Sequence, residues 1–441
     1  MSVTALSPRF FIAVVAILLF CRLVSWAIGR VGQPPVVGEM IAGVLLGPSL
    51  LGEIAPRLET ELFPAALKPV LYVAGQIGLV AFMFQAGHEF RSHLNRGIAR
   101  TAAAVSTAGI ITPLILGTLL ALGARGRVNI FVHGVPAGAT EAFVGVALAI
   151  TAFPMLARII TERGLAGTRY GSLALASGAL DDVVAWCLLA GVLAFATGKA
   201  KPILVAVGGA VLFAVLVFYG ARWLLARVLR PGALNEDTRV LLVVAVLFAA
   251  AWWTDEIGLY SVFGAFCVGM AMPRGVTAER TVATVSTNTR IVFLPMFFVY
   301  SGLNTRFALL TNRPLLIFSL LAILAAVIGK FVAAWAAARA SGEPNATAAR
   351  LGALMNARGL MQLIALNIGL QEGIVNSELF TALVLVALIT TLMAAPALTL
   401  LDKRMPMPVE AEGEPDAEAV SADPRAPDRA GAGVLLANEE A

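Results

Sequence analysis

The hydrophobic residues of this chain fall into long runs that are separated by short polar breaks. We count thirteen runs, centred at about residues 18, 44, 77, 111, 150, 182, 215, 246, 266, 295, 325, 358 and 390. About 20 apolar residues, at a rise of 1.5 Å each, cross the roughly 30 Å hydrocarbon core of a bilayer. The pattern therefore predicts an all-α polytopic membrane protein with about 13 transmembrane helices.

Composition and charge agree with this interpretation. Of the 441 residues, 59% are hydrophobic and 13% are charged, against about 25% charged in soluble domains. One set of alternate loops holds 18 Lys and Arg residues and the other holds 9. Because positive charge marks the cytoplasmic side, we predict a multi-pass protein of the cytoplasmic (inner) membrane, with its N-terminus outside and its C-terminus in the cytoplasm. The basic residues orient the chain in the membrane, so we expect no binding to nucleic acid.

The chain divides into a membrane part and a tail. From Asp402 onward there are 10 acidic residues against 4 basic ones, with no apolar periodicity. This composition predicts a disordered acidic cytoplasmic tail over residues 402–441, and residues 1–401 form the transmembrane domain. Within that domain we predict two inverted repeats, roughly 9–197 and 238–401, joined by a linker helix at roughly 202–230.

Two adjacent carboxylates, Asp181 and Asp182, stand in the middle of the sixth run. An ionised Asp at the centre of a span costs roughly 2.5 to 3.5 kcal/mol, so it is usually kept where it faces a cavity, a pathway or a partner. Neighbouring residues on a helix point about 100° apart, and the two acids therefore cannot share one role. A carboxylate that holds either a proton or a small cation is the minimum chemistry of ion exchange. The alternative is a structural acid pair bound to bases or to backbone.

Lys330 lies deep inside a predicted span, with no acidic residue near it in its own run. A Lys at that depth needs a partner, and Asp181 and Asp182 are the candidates. The alternative is a side chain that snorkels to the membrane interface.

Two spans are interrupted by residues that disfavour a continuous apolar helix. The fifth contains Thr151 and Pro154, and the twelfth contains Asn356, Arg358 and Gly359. Both breaks fall in the fifth helix of a predicted repeat, which is the sequence pointer to a midplane site where freed carbonyls coordinate cations. Arg358 could neutralise the partial negative charge of half-helix C-termini. Each break alone also fits a simpler reading, a Pro kink or a Gly packing contact.

Several motifs together resemble one family of transporters. They are the Gly-rich stretch Gly32–Gly52, Phe84-Gln-Ala-Gly-His-Glu89, the Asp181-Asp182 pair, Phe293-Leu-Pro-Met-Phe-Phe-Val-Tyr-Ser-Gly-Leu303 and Asn356-Ala-Arg-Gly-Leu-Met361. In this order they resemble the monovalent cation:proton antiporter-2 family over residues 10–401. The resemblance implies the sodium/proton antiporter fold: thirteen helices, a dimerisation domain, a core domain with two crossed discontinuous helices, and elevator-type alternating access.

The resemblance also implies roles for individual residues. Asp182 matches the essential carboxylate that exchanges cation for proton, and Asp181 matches its variable neighbour. Lys330 matches the basic residue of the pair, and Thr151 a residue of the crossed-helix site. Within the family an Asp-Asp pair implies electrogenic exchange, with sodium more often than potassium. Gln362 departs from the pattern, because relatives commonly carry Glu there.

We therefore predict a homodimeric antiporter, not an enzyme and without a cofactor, that exchanges a monovalent cation, Na⁺ preferred, for protons. The predicted ion-binding residues are Asp181, Asp182, Thr151 and Lys330, with the cation on the two carboxylates, and the predicted supporting residues are Pro154, Asn356, Arg358 and Ser177. The first alternatives are a K⁺/H⁺ antiporter and a ligand-gated K⁺ efflux system on the same scaffold. The others are an exchanger of Li⁺ or NH₄⁺ and a membrane sensor with a degenerate transport core. Because no nucleotide-binding motif follows the last span, we expect no gating by nucleotide.

Overall fold

The computed structural model describes residues 3–92, 98–165, 167–197, 208–209, 211–230, 232, 234–257 and 260–406, and in these ranges it contains no strand. Residues 407–441 of the predicted tail and residues 202–207 and 210 of the predicted linker helix lie outside the described residues. The last helix continues to Arg404, past the predicted start of the tail. Its end is held by Arg350, whose Nε donates to Asp402 Oδ1 at 2.8 Å.

The described residues form helices of very different lengths. In chain order they are α1 (Val3–Gly29), α2 (Pro35–Leu46), α3 (Leu51–Ile54), α4 (Pro56–Leu62), α5 (Lys68–Ser92), α6 (Ala99–Gly123), α7 (Ala137–Ala149), α8 (Phe153–Glu162), α9 (Arg169–Thr197), α10 (Val211–Val228), α11 (Glu236–Glu256), α12 (Ser261–Ala271), α13 (Val276–Leu303), α14 (Arg313–Ala340), α15 (Asn345–Met355), α16 (Gly359–Gln371) and α17 (Ser377–Arg404).

The predicted spans and the observed helices coincide. Eleven of the thirteen predicted centres lie inside helices, and the other two, at about residues 150 and 358, lie in the breaks between α7 and α8 and between α15 and α16. Among the described residues, ten helical segments are long and apolar enough to cross a membrane. Helical backbone is what a bilayer requires, because each N–H and C=O must find its partner within the chain. The prediction of an all-α polytopic membrane protein is confirmed.

Side-chain caps fix where several long helices begin. Asn235, Asn312 and Asn376 each precede a helix and accept a hydrogen bond from the backbone N–H three residues later, at 3.0, 3.3 and 2.9 Å. An Asn cap satisfies one of the four N–H groups that a helix leaves unpaired at its start. These three residues therefore set the first turns of α11, α14 and α17.

The helices pack in two groups. The first group, which we call the panel, consists of α1, α2, α5, α11, α12 and α13; the second, which we call the core, consists of α6 to α9 and α14 to α17. Each group takes three spans from each predicted repeat, in the same order. The inverted repeats themselves stay a prediction.

Glycines allow the backbones of the panel helices to touch. A Cβ added at Gly43 of α2 would overlap the carbonyl of Phe298 on α13, and one added at Gly302 would overlap the carbonyl of Gly43. Small residues permit this close approach of helices in a membrane. The Gly-rich stretch that opens the second span therefore has a packing role.

The panel and the core meet along a seam that side-chain hydrogen bonds cross at both ends. Asn367 Nδ2 of α16 donates to Ser301 Oγ of α13 at 2.6 Å, and Gln371 Nε2 donates to the Tyr300 hydroxyl at 3.3 Å. At the opposite end, Gln33 Nε2 donates to the carbonyl of Leu392 on α17 at 2.8 Å. Following the charge asymmetry of the loops, we call the end with Gln371 the predicted outer end and the end with Gln33 the predicted inner end.

Candidate ion-binding site

The two broken spans of the core touch each other at their breaks. The first break, residues 150–152, separates α7 from α8, and the second, residues 356–358, separates α15 from α16. The backbone N–H of Ala152 in the first break donates to the carbonyl of Ala357 in the second at 3.0 Å. This hydrogen bond shows the crossed discontinuous helices that the sequence predicted.

Local sequence explains why the helices stop at these positions. Pro154 is the second residue of α8, a place where its missing N–H needs no partner and where it disfavours helical geometry before it. Gly359 begins α16 with a positive φ of 44°, a conformation that favours glycine. Its N–H donates to Thr391 Oγ1 of α17 at 2.9 Å, and a Cβ added to it would lie 2.8 Å from Cγ of Met155.

Lys330 forms a fully buried ion pair with Asp181. Lys330 Nζ of α14 lies 2.7 Å from Asp181 Oδ2 of α9, and neither side chain is exposed. The same ammonium donates to the carbonyl of Ala149, the last residue of α7, at 2.6 Å. Thr151 Oγ1 in the first break donates to Asp181 Oδ2 at 2.5 Å. One oxygen of Asp181 thus receives two donors, and Lys330 links the carboxylate to a half-helix C-terminus, where the helix dipole favours a cation.

Asp182 is buried beside this pair without an equivalent partner. It is 1% exposed, and among the described residues neither of its carboxylate oxygens accepts a hydrogen bond of normal geometry. The backbone N–H of Phe153, at the start of α8, acts on its carboxylate as a weak hydrogen-bond donor, and the ammonium of Lys330 acts on it electrostatically. Oδ1 of Asp181 also has no hydrogen-bond partner in the described chain. Leaving a buried polar atom unpaired costs about 1 to 3 kcal/mol, and a bound proton or cation would remove that cost.

Arg358 adds a second buried cation. Its guanidinium is fully buried, and Nη2 donates to the carbonyl of Ala326 on α14 at 2.8 Å. Its Nε and Nη1 atoms have no hydrogen-bond partner within the described ranges, and its charge acts on both Asp181 and Lys330. With all groups ionised, Asp181, Asp182, Lys330 and Arg358 carry no net charge. A cation that enters the cluster therefore adds a full positive charge unless a proton leaves.

The other predicted residues lie around this cluster. Asn356 Nδ2 donates to the carbonyl of Gly352 at 3.3 Å, and its Oδ1 is unbonded among the described residues. Ser177, one turn before Asp181 on α9, donates to the carbonyl of Ala102 at 3.2 Å and so ties α9 to α6. Gln362 Nε2 donates to the carbonyl of Leu383 on α17 at 3.2 Å. Gln362 therefore bonds to the neighbouring helix and not to the carboxylates.

Two positions that sequence reasoning missed complete the site. A Cβ added at Gly109 of α6 would lie 3.7 Å from both Cε and Nζ of Lys330, an ordinary van der Waals distance, so Gly109 lies directly beside the ammonium. Thr391 of α17 accepts the N–H that begins α16. No feature of the sequence separates Gly109 from the other glycines of the spans, and Thr391 lies in an otherwise ordinary apolar run.

The fold and the site together define a class of protein. Crossed half-helices that surround a buried carboxylate pair in a polytopic membrane protein are typical of secondary ion transporters. The chain belongs to the family described as "Sodium/hydrogen exchanger, transmembrane", whose pattern matches residues 15–401.

Named relatives place the chain among cation/proton antiporters. It is 36% identical over 396 residues to the Na(+)/H(+) antiporter NhaS4 of Synechocystis sp., a match that covers 87% of this chain and 94% of that protein. It is 28% identical over 391 residues to the K(+)/H(+) antiporter 1 of Saccharomyces cerevisiae, covering 86% of this chain and 45% of that protein. The resemblance to antiporters is thereby confirmed, and the relatives are named for different cations.

A solved structure shows the same fold. The sodium proton antiporter MjNhaP1 of Methanocaldococcus jannaschii aligns with a TM-score of 0.56 at 15% sequence identity, covering 90% of this chain and 97% of that one. The protein is thus a membrane-embedded member of a cation:proton antiporter family.

Proposed function

We propose that this protein exchanges a monovalent cation, Na⁺ in preference to K⁺, for protons across the cytoplasmic membrane, by electrogenic elevator-type antiport. One observation carries the proposal. Asp182 is buried beside the broken helices with no side-chain hydrogen bond to either carboxylate oxygen among the described residues, while its neighbour Asp181 is neutralised by Lys330 at 2.7 Å. Asp182 is therefore the carboxylate that remains available to bind a proton and a cation alternately.

The charges of the cluster support a competition between cation and proton. In its ionised form Asp182 can bind a small cation, together with Oδ1 of Asp181 and carbonyl oxygens of the breaks. Oxygen ligands of this kind suit hard cations. The cation and the proton cannot both be bound to Asp182, because each needs the same carboxylate. Uptake of the cation therefore releases a proton, and a proton that arrives from the other side displaces the cation.

Lys330 is the group that makes the exchange electrogenic in this proposal. A cation that contacts Asp181 Oδ1 draws on the same carboxylate that neutralises Lys330 through Oδ2. With less of that negative charge available, a fully buried ammonium loses its proton more easily. Two protons, one from Asp182 and one from Lys330, then leave for each cation. Exchange of two positive charges for one moves net charge across the membrane.

The division into panel and core supports an elevator over a local gate. The carboxylates, Lys330, Arg358 and both breaks lie on core helices, and the described panel helices contribute no charged side chain to the cluster. The seam is crossed by few side-chain hydrogen bonds, among them Asn367 to Ser301 and Gln33 to Leu392. In the proposed cycle these bonds break and the core moves as a unit that carries the ion.

A K⁺/H⁺ antiporter is the second candidate. The yeast relative is named for potassium, and the radius that the cluster accepts depends on how the carbonyls of the breaks close around the ion. We also propose a homodimer, with the N-terminus outside and the C-terminus in the cytoplasm. Exposed apolar side chains of α1, such as Phe11, Leu19 and Trp26, agree with burial in lipid or against a second copy.

Proteoliposomes loaded with a pH-sensitive dye test the proposal. We expect NaCl to cause proton release at lower concentration than KCl, with a rate that changes when a membrane potential is imposed. A response to KCl alone that ignores the potential would replace the proposal with electroneutral K⁺/H⁺ exchange. Passive K⁺ flux without proton movement would contradict antiport.

A further inference from the structure

A groove separates α6 from α14 at the predicted outer end of the core. Its volume is about 510 Å³, and apart from Arg127 its lining is apolar, with Leu119, Leu120, Ile317, Phe318 and Leu321 as its main walls. Leu119, Ile317 and Leu321 are exposed, so the groove opens towards the lipid that surrounds the core.

The groove arises because two helices that pack closely at their middles separate at one end. Near mid-membrane, a Cβ added at Gly329 of α14 would lie 3.0 Å from Leu116 and 3.4 Å from Pro113 of α6. Beyond Leu119 the two helices leave open space between them. A Cβ added at Gly123, the last residue of α6, meets no atom within 4 Å.

The mouth of the groove carries positive charge that the protein does not neutralise. Arg127 is exposed, and its guanidinium makes one long hydrogen bond, 3.4 Å, to the carbonyl of Gly123. Arg313 precedes the lining residue Pro314 and is also exposed. Neither arginine forms an ion pair with a residue that the structure describes. Arg125, two residues before Arg127, is by contrast paired with Glu141.

We propose that this groove binds one anionic phospholipid of the bilayer. Its phosphate lies on Arg127, and one acyl chain lies along Leu120 and Phe318 between α6 and α14. A guanidinium binds phosphate through paired hydrogen bonds, and the apolar wall removes the chain from contact with mobile lipid. Charge complementarity selects an anionic headgroup, while the groove selects a lipid over a free phosphate.

The site is placed where an occupant can affect the ion-binding cluster. α14 carries Lys330, and α6 carries Gly109, which lies beside the Lys330 ammonium. The lipid would therefore fix the spacing of the helix pair that holds Lys330 against Asp181. This inference does not depend on which cation the protein exchanges.

Native mass spectrometry of the delipidated full-length protein tests the proposal, with phosphatidylglycerol and phosphatidylcholine of equal chain length added in turn. We expect one phosphatidylglycerol to remain bound at collision energies that remove phosphatidylcholine. Arg127→Ala should lower retention of phosphatidylglycerol about tenfold, as expected for loss of a hydrogen bond to a charged group, and should lower retention of phosphatidylcholine less, because the choline cation of that lipid offsets its phosphate charge. Arg57→Ala, which removes an exposed arginine of α4, is the matched control.

A second variant separates a groove from simple charge attraction. Gly123→Phe puts a ring into the open space at the end of α6 and should abolish the retained lipid, whereas Gly191→Phe, at an exposed glycine of α9 with equally open space, should not. Equal phosphatidylglycerol retention by the wild type, Arg127→Ala and Gly123→Phe would overturn the proposal. Loss in Arg127→Ala but not in Gly123→Phe would reduce the site to a surface charge, and equal retention of both lipids would overturn its anionic selectivity.

Discussion

The core and the panel contain similar numbers of membrane-crossing helices, but the two groups bury different kinds of side chain. In the described residues, the charged side chains that are buried, among them Asp181, Asp182, Lys330 and Arg358, belong to core elements. The buried polar residues of the panel are uncharged, such as Thr254 and Ser286, and its helices are held by backbone contacts at glycines such as Gly43. The core thus carries buried charges that are costly in a membrane, while the panel is packed through close backbone contacts.

The largest expected effect is loss of exchange in the core variant Asp182→Asn. The amide keeps the size of the side chain but can neither release a proton nor supply a negative charge to a cation. We expect exchange to fall to the level of empty liposomes, measured by dye in proteoliposomes, with wild-type expression and thermal stability. Exchange that persists would remove Asp182 from its assigned role.

The second-largest effect is expected for a variant that disrupts the helix packing of the panel. Gly43→Leu forces a side chain into the carbonyl of Phe298, and overpacking of this kind costs about 1 to 3 kcal/mol or more. We expect a marked loss of thermal stability and of folded protein after detergent extraction. Gly191→Leu, at an exposed glycine with open space, is the control, and equal stability of the two variants would contradict the packing role of Gly43.

The third effect separates charge from packing inside the core. Lys330→Met leaves Asp181 as a buried carboxylate without its cation, which typically costs about 3 to 5 kcal/mol. The double variant Lys330→Met with Asp181→Asn should recover much of that thermal stability, because no unpaired charge remains. We also expect any exchange that survives in the double variant to lose its dependence on membrane potential. Equal destabilisation in the single and double variants would show that the pair is not what stabilises this region.

The smallest effect is expected at the seam. Ser301→Ala removes the acceptor for Asn367 Nδ2, which keeps its second hydrogen bond to the carbonyl of Leu363 at 2.8 Å. Loss of one such bond is worth about 0.5 to 1.5 kcal/mol, so we expect a change of a few-fold in apparent cation affinity with little change in stability. Thr284→Ala is the control, because its hydroxyl bonds to the Arg280 carbonyl within α13. A change in apparent cation affinity equal to that of Thr284→Ala would argue against a seam that opens during transport.

The hydrophobic runs were sufficient to place the membrane spans. They were not sufficient to identify which side chains pair with each other within the site. Lys330 could pair with either carboxylate on sequence grounds, since adjacent residues on a helix face different neighbours. Only the packing of α14 against α6 and α7, which brings Lys330 to the first break, selects Asp181. Pro154 and Gly359 marked both breaks, because their backbone preferences act locally.

Contacts between elements that are distant along the chain were harder to predict from the sequence. Ser177, which we predicted as a supporting residue, bonds to the backbone of α6, and Gln362, where relatives commonly carry Glu, bonds to α17. Gly109 and Thr391 carry no local signal, because what matters at each position is a residue that lies far away in sequence. The inverted repeats and the tail stay predictions.

The most direct test of the central claim is proton release from the detergent-solubilised protein when NaCl is added, measured by titration calorimetry in buffers of different ionisation enthalpy. We predict proton release by the wild type and by Ser177→Ala, and none by Asp182→Asn. Release that is unchanged in Asp182→Asn would contradict the account, because the cation and the proton would then not compete for that carboxylate.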